Sequence, residues 1–151
     1  MQDRTLQKVS TFIEVCKSIQ SLSYDTKYKV GCIIIEKDFT RINSIGYNGN
    51  YRNGPNERDS NESGKSGFIH AELNALLKLK HDPDDQLLIC TWTPCSHCAK
   101  CIVNSGIKRC LFISDYKDRQ FEHIFRDGGV KYVVVNDLLD TLGEDIKQLL
   151  S

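Results

Sequence analysis

Two short stretches of this sequence hold residues that could do chemistry together: His70 and Glu72 in FIHAEL, and Cys95 and Cys98 in TPCSHC. One imidazole and two thiols are a ligand set for zinc, and three protein ligands leave a tetrahedral position open for water. Water held there becomes an acid of pKa about 7, against about 9 on aqueous zinc. A carboxylate that is not itself a ligand, Glu72, can take that proton and pass it on, so the expected chemistry is metal-assisted hydrolysis. The competitors are His97 and Cys101, either of which could add a fourth ligand and close the site into a structural one. The apolar positions Ala99, Cys101, Ile102 and Val103 assign Cys101 to the core instead, and His97 is expected to be exposed. A lone C-x-x-C could equally be a redox pair, but the strand, C-x-x-C and helix order of a thioredoxin-like unit is missing near the start of the chain.

These residues need elements to bring them together. Leu6, Val9, Phe12, Ile13, Cys16 and Ile19 recur at helical spacing and predict an amphipathic helix from about Thr5 to Gln20. Tyr28 to Glu36 and Arg41 to Tyr47 read as two strands of a hairpin, and the polar stretch Asn48 to Gly67 as a long surface loop. Apolar periodicity returns over Phe68 to Leu79, a helix opened by His70 and Glu72. A strand follows at Leu87 to Thr91, and Pro94 introduces a helix running to about Asn104. Strands at Arg109 to Ser114 and Lys131 to Val135, a helix at Asp118 to Arg126 between them, and a last helix at Thr141 to Leu150 complete the chain. Residues two apart in a helix lie about 200° apart around its axis, so His70 and Glu72 can serve one site only from its first turn. Cys95 and Cys98, three apart at a helix start, fall on one side, where the dipole favours thiolates. The order of elements predicts a three-layer α/β/α sandwich around a five-stranded mixed sheet. The last two strands are expected to be parallel, because a whole helix separates them.

Composition narrows the function classes. The 151 residues, 40% hydrophobic and 26% charged, suit one domain spanning 1–151. Twenty basic and twenty acidic residues give zero formal net charge, which weighs against nucleic acid as a partner. The first residues, MQDRTLQKVS, carry scattered charge and no apolar signal core, and no run is long enough to cross a bilayer, so a soluble cytoplasmic protein is expected. Of seven cysteines, Cys16, Cys32, Cys90 and Cys110 lie in apolar stretches and read as small buried hydrophobes.

The order H-x-E and then P-C-x-x-C is that of zinc deaminases acting on nucleobases. More of the chain, from about Ser23 to Asp118, resembles the deoxycytidylate (dCMP) deaminase family within the cytidine deaminase-like superfamily. The matching pieces are S-x-D and V-G (Ser23, Asp25, Val30, Gly31), G-Y-N-G (Gly46 to Gly49), H-A-E-x-N-A (His70 to Ala75), T-P-C-x-x-C-A-K (Thr93 to Lys100) and S-G-I (Ser105 to Ile107). The resemblance implies hydrolysis of dCMP to dUMP and ammonia, feeding thymidylate synthesis, with one Zn2+ per chain and Glu72 carrying protons. It also implies that Asn48 contacts substrate, that the backbone at Ala71 recognises the base and that Tyr116 lines the pocket. Lys29, with Lys27, Arg52 and Lys117, is a cation near the inferred mouth that could meet a phosphate. Relatives suggest a homo-oligomer, in many cases a hexamer. Two departures stand out: Thr26 replaces a common proline, and NYRNG (Asn50 to Gly54) follows G-Y-N-G where a short segment with proline and glycine is usual. The second weighs against control by dCTP and dTTP. The long loop holds neither Cys nor His, so a second, structural zinc is not expected. The alternatives are a deaminase acting on another cytosine or purine compound or on a base in RNA or single-stranded DNA, and a non-catalytic zinc-stabilised interaction domain.

Overall fold

The strands Gly31–Glu36 (β1), Ile42–Tyr47 (β2), Gln86–Trp92 (β3), Arg109–Ser114 (β4) and Lys131–Val134 (β5) form one sheet in the order β2-β1-β3-β4-β5 in a computed structural model that describes residues 3–151. β1 is antiparallel to β2 and to β3, whereas β3, β4 and β5 run parallel, as expected for the last two strands. The helices are Thr5–Gln20 (α1), Ala71–Lys78 (α2), Ser96–Ser105 (α3), Phe121–Gly128 (α4) and Gly143–Leu150 (α5).

Alternation along the central strands assigns side chains to two cores. Cys32, Ile34, Leu88, Cys90, Cys110 and Phe112 face α2, α3 and α4, and pack with Ala71, Ala75, Ala99, Ile102, Phe121 and Phe125. Ile33, Ile35, Leu87, Ile89, Leu111 and Ile113 face α1 and α5, and pack with Val9, Ile13, Cys16, Ile146 and Leu149. Both faces are covered, which is why β1, β3 and β4 read as unbroken apolar runs. The result is the three-layer α/β/α sandwich that the element order predicts. Among the described residues no helix is long and apolar enough to cross a membrane.

Some boundaries move. α2 begins at Ala71 and not at Phe68, because Ile69 is drawn into an extended bridge with Gly49: the Gly49 N–H donates to the Ile69 carbonyl at 3.2 Å and the Ile69 N–H returns the bond at 2.8 Å. α3 begins at Ser96, two residues after Pro94, with Cys95 as its N-cap. α4 begins at Phe121, after Asp118 has spent its carboxylate on the Gln120 amide in a local turn. Gly106 ends α3 at φ 89°, a left-handed conformation that glycine adopts without a side-chain penalty.

One edge of the sheet gathers the chain ends that build a site. Since β1 is antiparallel to both neighbours, its start at Gly31 lies beside the end of β2 (Gly31 pairs with Tyr47) and near the end of β3 (the Gly31 N–H donates to Thr91 Oγ1 at 3.1 Å). The end of β4 is level with them, Trp92 pairing with Ser114. The segments leaving this edge carry Asn48, Cys95 and Tyr116, in keeping with the rule that α/β sheets place ligands beyond strand carboxyl ends.

Candidate metal centre and active site

His70 caps α2 from outside, in extended backbone (φ −66°, ψ 152°), and its side chain turns toward the start of α3. His70 Nδ1 lies 3.2 Å from Cys98 Sγ and 3.7 Å from Cys95 Sγ, and the three ligand atoms all lie within 4.8 Å of one another. Tetrahedral zinc with bonds of about 2.0–2.1 Å to nitrogen and 2.3 Å to sulfur requires ligand separations of about 3.5–3.8 Å. The spacing and the donor set therefore fit zinc. Among the described residues no other group of three Cys, His, Asp or Glu ligands converges in this way.

Contact between the two cysteines shifts their thiols in opposite senses. Cys95 Sγ accepts a hydrogen bond from the Cys98 N–H at 3.5 Å and lies 3.7 Å from His70 Nδ1. These contacts draw its pKa down to about 4, the thiol hydrogen bond from Cys98 contributing most. The same contact with Cys95, and after it burial, pushes the Cys98 thiol up. His70 is likewise raised above its ordinary value by its contact with Cys95, despite burial. Negative charge on Cys95 is thus favoured at the N-terminal end of α3, where the helix dipole stabilises it.

Glu72 lies in the first turn of α2, only 5% exposed and outside the ligand group. Burial raises its carboxyl above the ordinary glutamate range, against the pull of its own backbone amide and of His70. A carboxyl so placed holds or releases a proton nearer neutral pH than a solvated one.

What brings α2 to this edge is its contact with β2. A Cβ on Gly46 would sit 2.6 Å from the Ala75 amide nitrogen and 3.1 Å from the Ala75 Cβ, and would overlap the Ala71 carbonyl oxygen still more closely. Ser44 Oγ donates to the Ala75 carbonyl at 2.7 Å, and Asn74 Nδ2 donates to the Tyr47 carbonyl at 3.0 Å. The glycine of G-Y-N-G and the asparagine and second alanine of H-A-E-x-N-A are therefore a docking device that sets where His70 and Glu72 stand. The backbone at Ala71 is buried at this joint.

The remaining expected residues are placed unequally. Asn48 is buried next to the same edge, and its side chain is fully engaged: Oδ1 accepts from Ser23 Oγ and from the Val30 N–H at 2.9 Å, and Nδ2 donates to the Tyr28 carbonyl at 2.8 Å and to Asp25 Oδ2 at 3.3 Å. Tyr116 is half-buried, its N–H held by Thr93 Oγ1 at 2.7 Å and its hydroxyl 3.3 Å from Ser63 Oγ of the long loop. Lys29 points its ammonium at the Ser23 carbonyl, 2.9 Å away. The expectation that Cys101 belongs to the core is corrected: it is half-exposed on α3, its Sγ 4.0 Å from Nε2 of the exposed His97, because it falls on the side of the helix turned from the sheet. Neither residue belongs to the ligand group.

Arg58 is a residue that motif spacing misses. Its guanidinium bonds Asp25 Oδ2 at 2.5 Å in a pair whose side chains are 7% and 2% exposed. Burial works against the Asp25 charge, but the N–H groups of Lys27 and Tyr28 and the guanidinium outweigh it and hold this carboxyl below the usual carboxylate range. The two residues stand 33 positions apart, too far for any local pattern to link them.

Comparison with known proteins agrees with the geometry. Residues 6–114 match the family model described as the cytidine and deoxycytidylate deaminase zinc-binding region. The chain is 32% identical over 141 residues to a probable deoxycytidylate deaminase of Drosophila melanogaster, covering 83% of this chain and 64% of that protein. It is 29% identical over 124 residues to a probable deoxycytidylate deaminase of Caenorhabditis elegans, covering 77% of this chain and 62% of that one. It thus spans less than two thirds of the length of these two relatives. The fold matches the crystal structure of dCMP deaminase from the cyanophage S-TIM5 in complex with dCMP and dUMP, with a TM-score of 0.75, 24% identity, and coverage of 89% of this chain and 98% of that one. With a zinc ligand set assembled at the strand ends and a family match running through every element that builds it, this chain belongs to the cytidine and deoxycytidylate deaminase zinc-binding family.

Proposed function

We propose that this protein is a zinc-dependent hydrolase that converts dCMP and water to dUMP and ammonia. The observation that carries the proposal is the convergence of His70, Cys95 and Cys98 beside a buried, non-ligating Glu72. His70 Nδ1 and the two thiolates would hold the metal. Zinc bound there supplies Lewis acidity, which lowers the pKa of water to about 7 and makes it a nucleophile at neutral pH. Glu72 would move both protons of the water: its carboxylate accepts the first and delivers it to N3 of the cytosine ring, then takes the second from the new C4 hydroxyl and gives it to the exocyclic amine, which leaves as ammonia while the C4 carbonyl forms. Burial keeps that carboxyl away from bulk water, so the proton it takes is handed to the substrate. On this reading the backbone at Ala71, in the same turn, recognises the base.

Two relatives named as probable deoxycytidylate deaminases and a fold match to a dCMP deaminase solved with dCMP and dUMP favour the monophosphate as substrate. On this reading Asn48 supports the wall of the site by holding residues 23–30 in place, Tyr116 lines the pocket, and Lys29 is a cation for the phosphate. The balance of twenty basic and twenty acidic residues provides no general attraction for a polynucleotide.

The test is ammonia release from dCMP by zinc-loaded protein, compared with cytidine, dCTP and 5-substituted dCMP. Wild-type protein turns over dCMP, and Glu72→Gln loses about 10²-fold or more of kcat while keeping its zinc, since the change removes the proton carrier and leaves the ligands. Full activity in Glu72→Gln sinks the mechanism, and silence on dCMP with turnover of another cytosine compound sinks the substrate.

A further inference from the structure

The polar stretch after β2 is tied down at several points. Its base is closed by the Gly49–Ile69 bridge, one residue from the ligand His70. Its middle is held by Arg58, whose Nε donates to the Ser60 carbonyl at 3.0 Å and whose second terminal nitrogen donates to the Glu62 carbonyl at 3.0 Å. The Asp59 N–H donates to the Ser66 carbonyl at 2.7 Å and folds the segment on itself. Its far side meets Tyr116, beyond β4, through Ser63. In the sheet order β2-β1-β3-β4, a segment that leaves β2 and touches the connection after β4 crosses the ends of β1 and β3. The end of β3 leads directly into Thr93 and Cys95.

One side chain fastens this crossing segment to the rest of the domain at its centre. The Arg58 fork spans two loop carbonyls and the Asp25 carboxylate, and Asp25 is bonded in turn to Asn48 and to the Lys27 and Tyr28 amides. The guanidinium also lies over the Tyr28 ring, 5.5 Å from its centroid. We propose that Arg58 is a positioning residue for nucleotide binding: pinned on Asp25, it holds residues 50–67 as a fixed roof over the metal centre, in the arrangement that admits dCMP. Arg58 touches neither the metal ligands nor the reacting atoms, so its effect falls on substrate capture and not on the chemical step.

The proposal rests on the deamination reading, and the experiment separates the two. Arg58→Lys keeps a cation on Asp25, but an ammonium lacks the planar fork needed to hold both loop carbonyls. If the roofed arrangement falls to about a tenth of the population, KM for dCMP rises about tenfold, with kcat within about twofold. Zinc content stays at the wild-type value, and the Asp59 amide exchanges with deuterium faster than in wild type. Arg58→Gln moves KM and exchange further in the same direction. An unchanged KM in Arg58→Lys overturns the proposal, and so does a joint fall of kcat, zinc content and thermal stability, which would mean that Arg58 serves the whole fold. If wild-type protein does not act on dCMP, the deamination reading fails first. Unaltered exchange at Asp59 in Arg58→Lys would then refute the roof as well.

Discussion

Replacing Gly46 by alanine tests the claim that a backbone joint, remote in sequence from the ligands, sets the metal centre. The added methyl would stand 2.6 Å from the Ala75 nitrogen, about 0.9 Å short of an ordinary van der Waals separation of about 3.5 Å. The obstructing atoms belong to helical backbone and cannot rotate away, so α2 must move outward as a unit by roughly an ångström. Overpacking of this kind costs about 1–3 kcal/mol, which for a chain of this size lowers Tm by about 3–10 °C. Because α2 carries His70 at its cap and Glu72 in its first turn, the same displacement spreads the ligand atoms. A misplacement of about 1 Å reduces turnover by about 10²-fold. Gly31→Ala is the matched control: its methyl would lie 2.5 Å from the Gln20 nitrogen and 2.8 Å from the Cys16 carbonyl oxygen, so it pushes on α1, in the opposite layer. Both variants lose Tm by differential scanning calorimetry. Only Gly46→Ala loses zinc to a competing chelator and turnover of dCMP out of proportion to its stability. Wild-type zinc retention in Gly46→Ala would mean that this joint does not set the ligand positions, as would a Gly31→Ala protein that sheds zinc equally.

Two further tests probe other parts of the site. Asp25 has a depressed pKa in the folded protein, so the native state binds fewer protons than the unfolded chain and stability rises with pH in that window; its contribution is complete above about pH 4 and is lost as pH falls through the depressed value. Urea titrations from pH 2 to 6 should show this slope in wild type and a shallower one in Asp25→Asn, which also loses about 3–5 kcal/mol at pH 7 because Arg58 stays buried without its counterion. Cys101→Ser should retain one zinc per chain and wild-type turnover, measured by metal analysis and ammonia release, whereas Cys98→Ser loses both; loss of zinc from Cys101→Ser would make it a fourth ligand and the centre a structural one.

Much of this centre was legible in the order of residues, for a local reason. Cys95 and Cys98 are one helical turn apart, and His70 and Glu72 are two apart at a helix start, so short-range geometry already restricts which groups can share a site. The sandwich was legible for a similar reason: β1, β3 and β4 are unbroken apolar runs, which only strands covered on both faces require. Apolar spacing starts α2 three residues too early, because it carries no sign that Ile69 bridges to Gly49 in place of another turn of helix. The apolar neighbours of Cys101 likewise conceal which side of α3 faces the sheet.

The ligand types and the helix starts that hold them follow from the order of residues, since each rests on chemistry within a few positions, whereas the count of three waits on the fold, which keeps the half-exposed Cys101 out of the group. Long-range contacts supply the rest. The tertiary structure brought His70 to within 3.2 Å of Cys98 across 28 positions, drew α2 against Gly46, and joined Asp25 to Arg58 across 33. Such contacts depend on where the sheet places its strand ends, and the pairing of distant strands leaves no periodic trace in the residues that meet there.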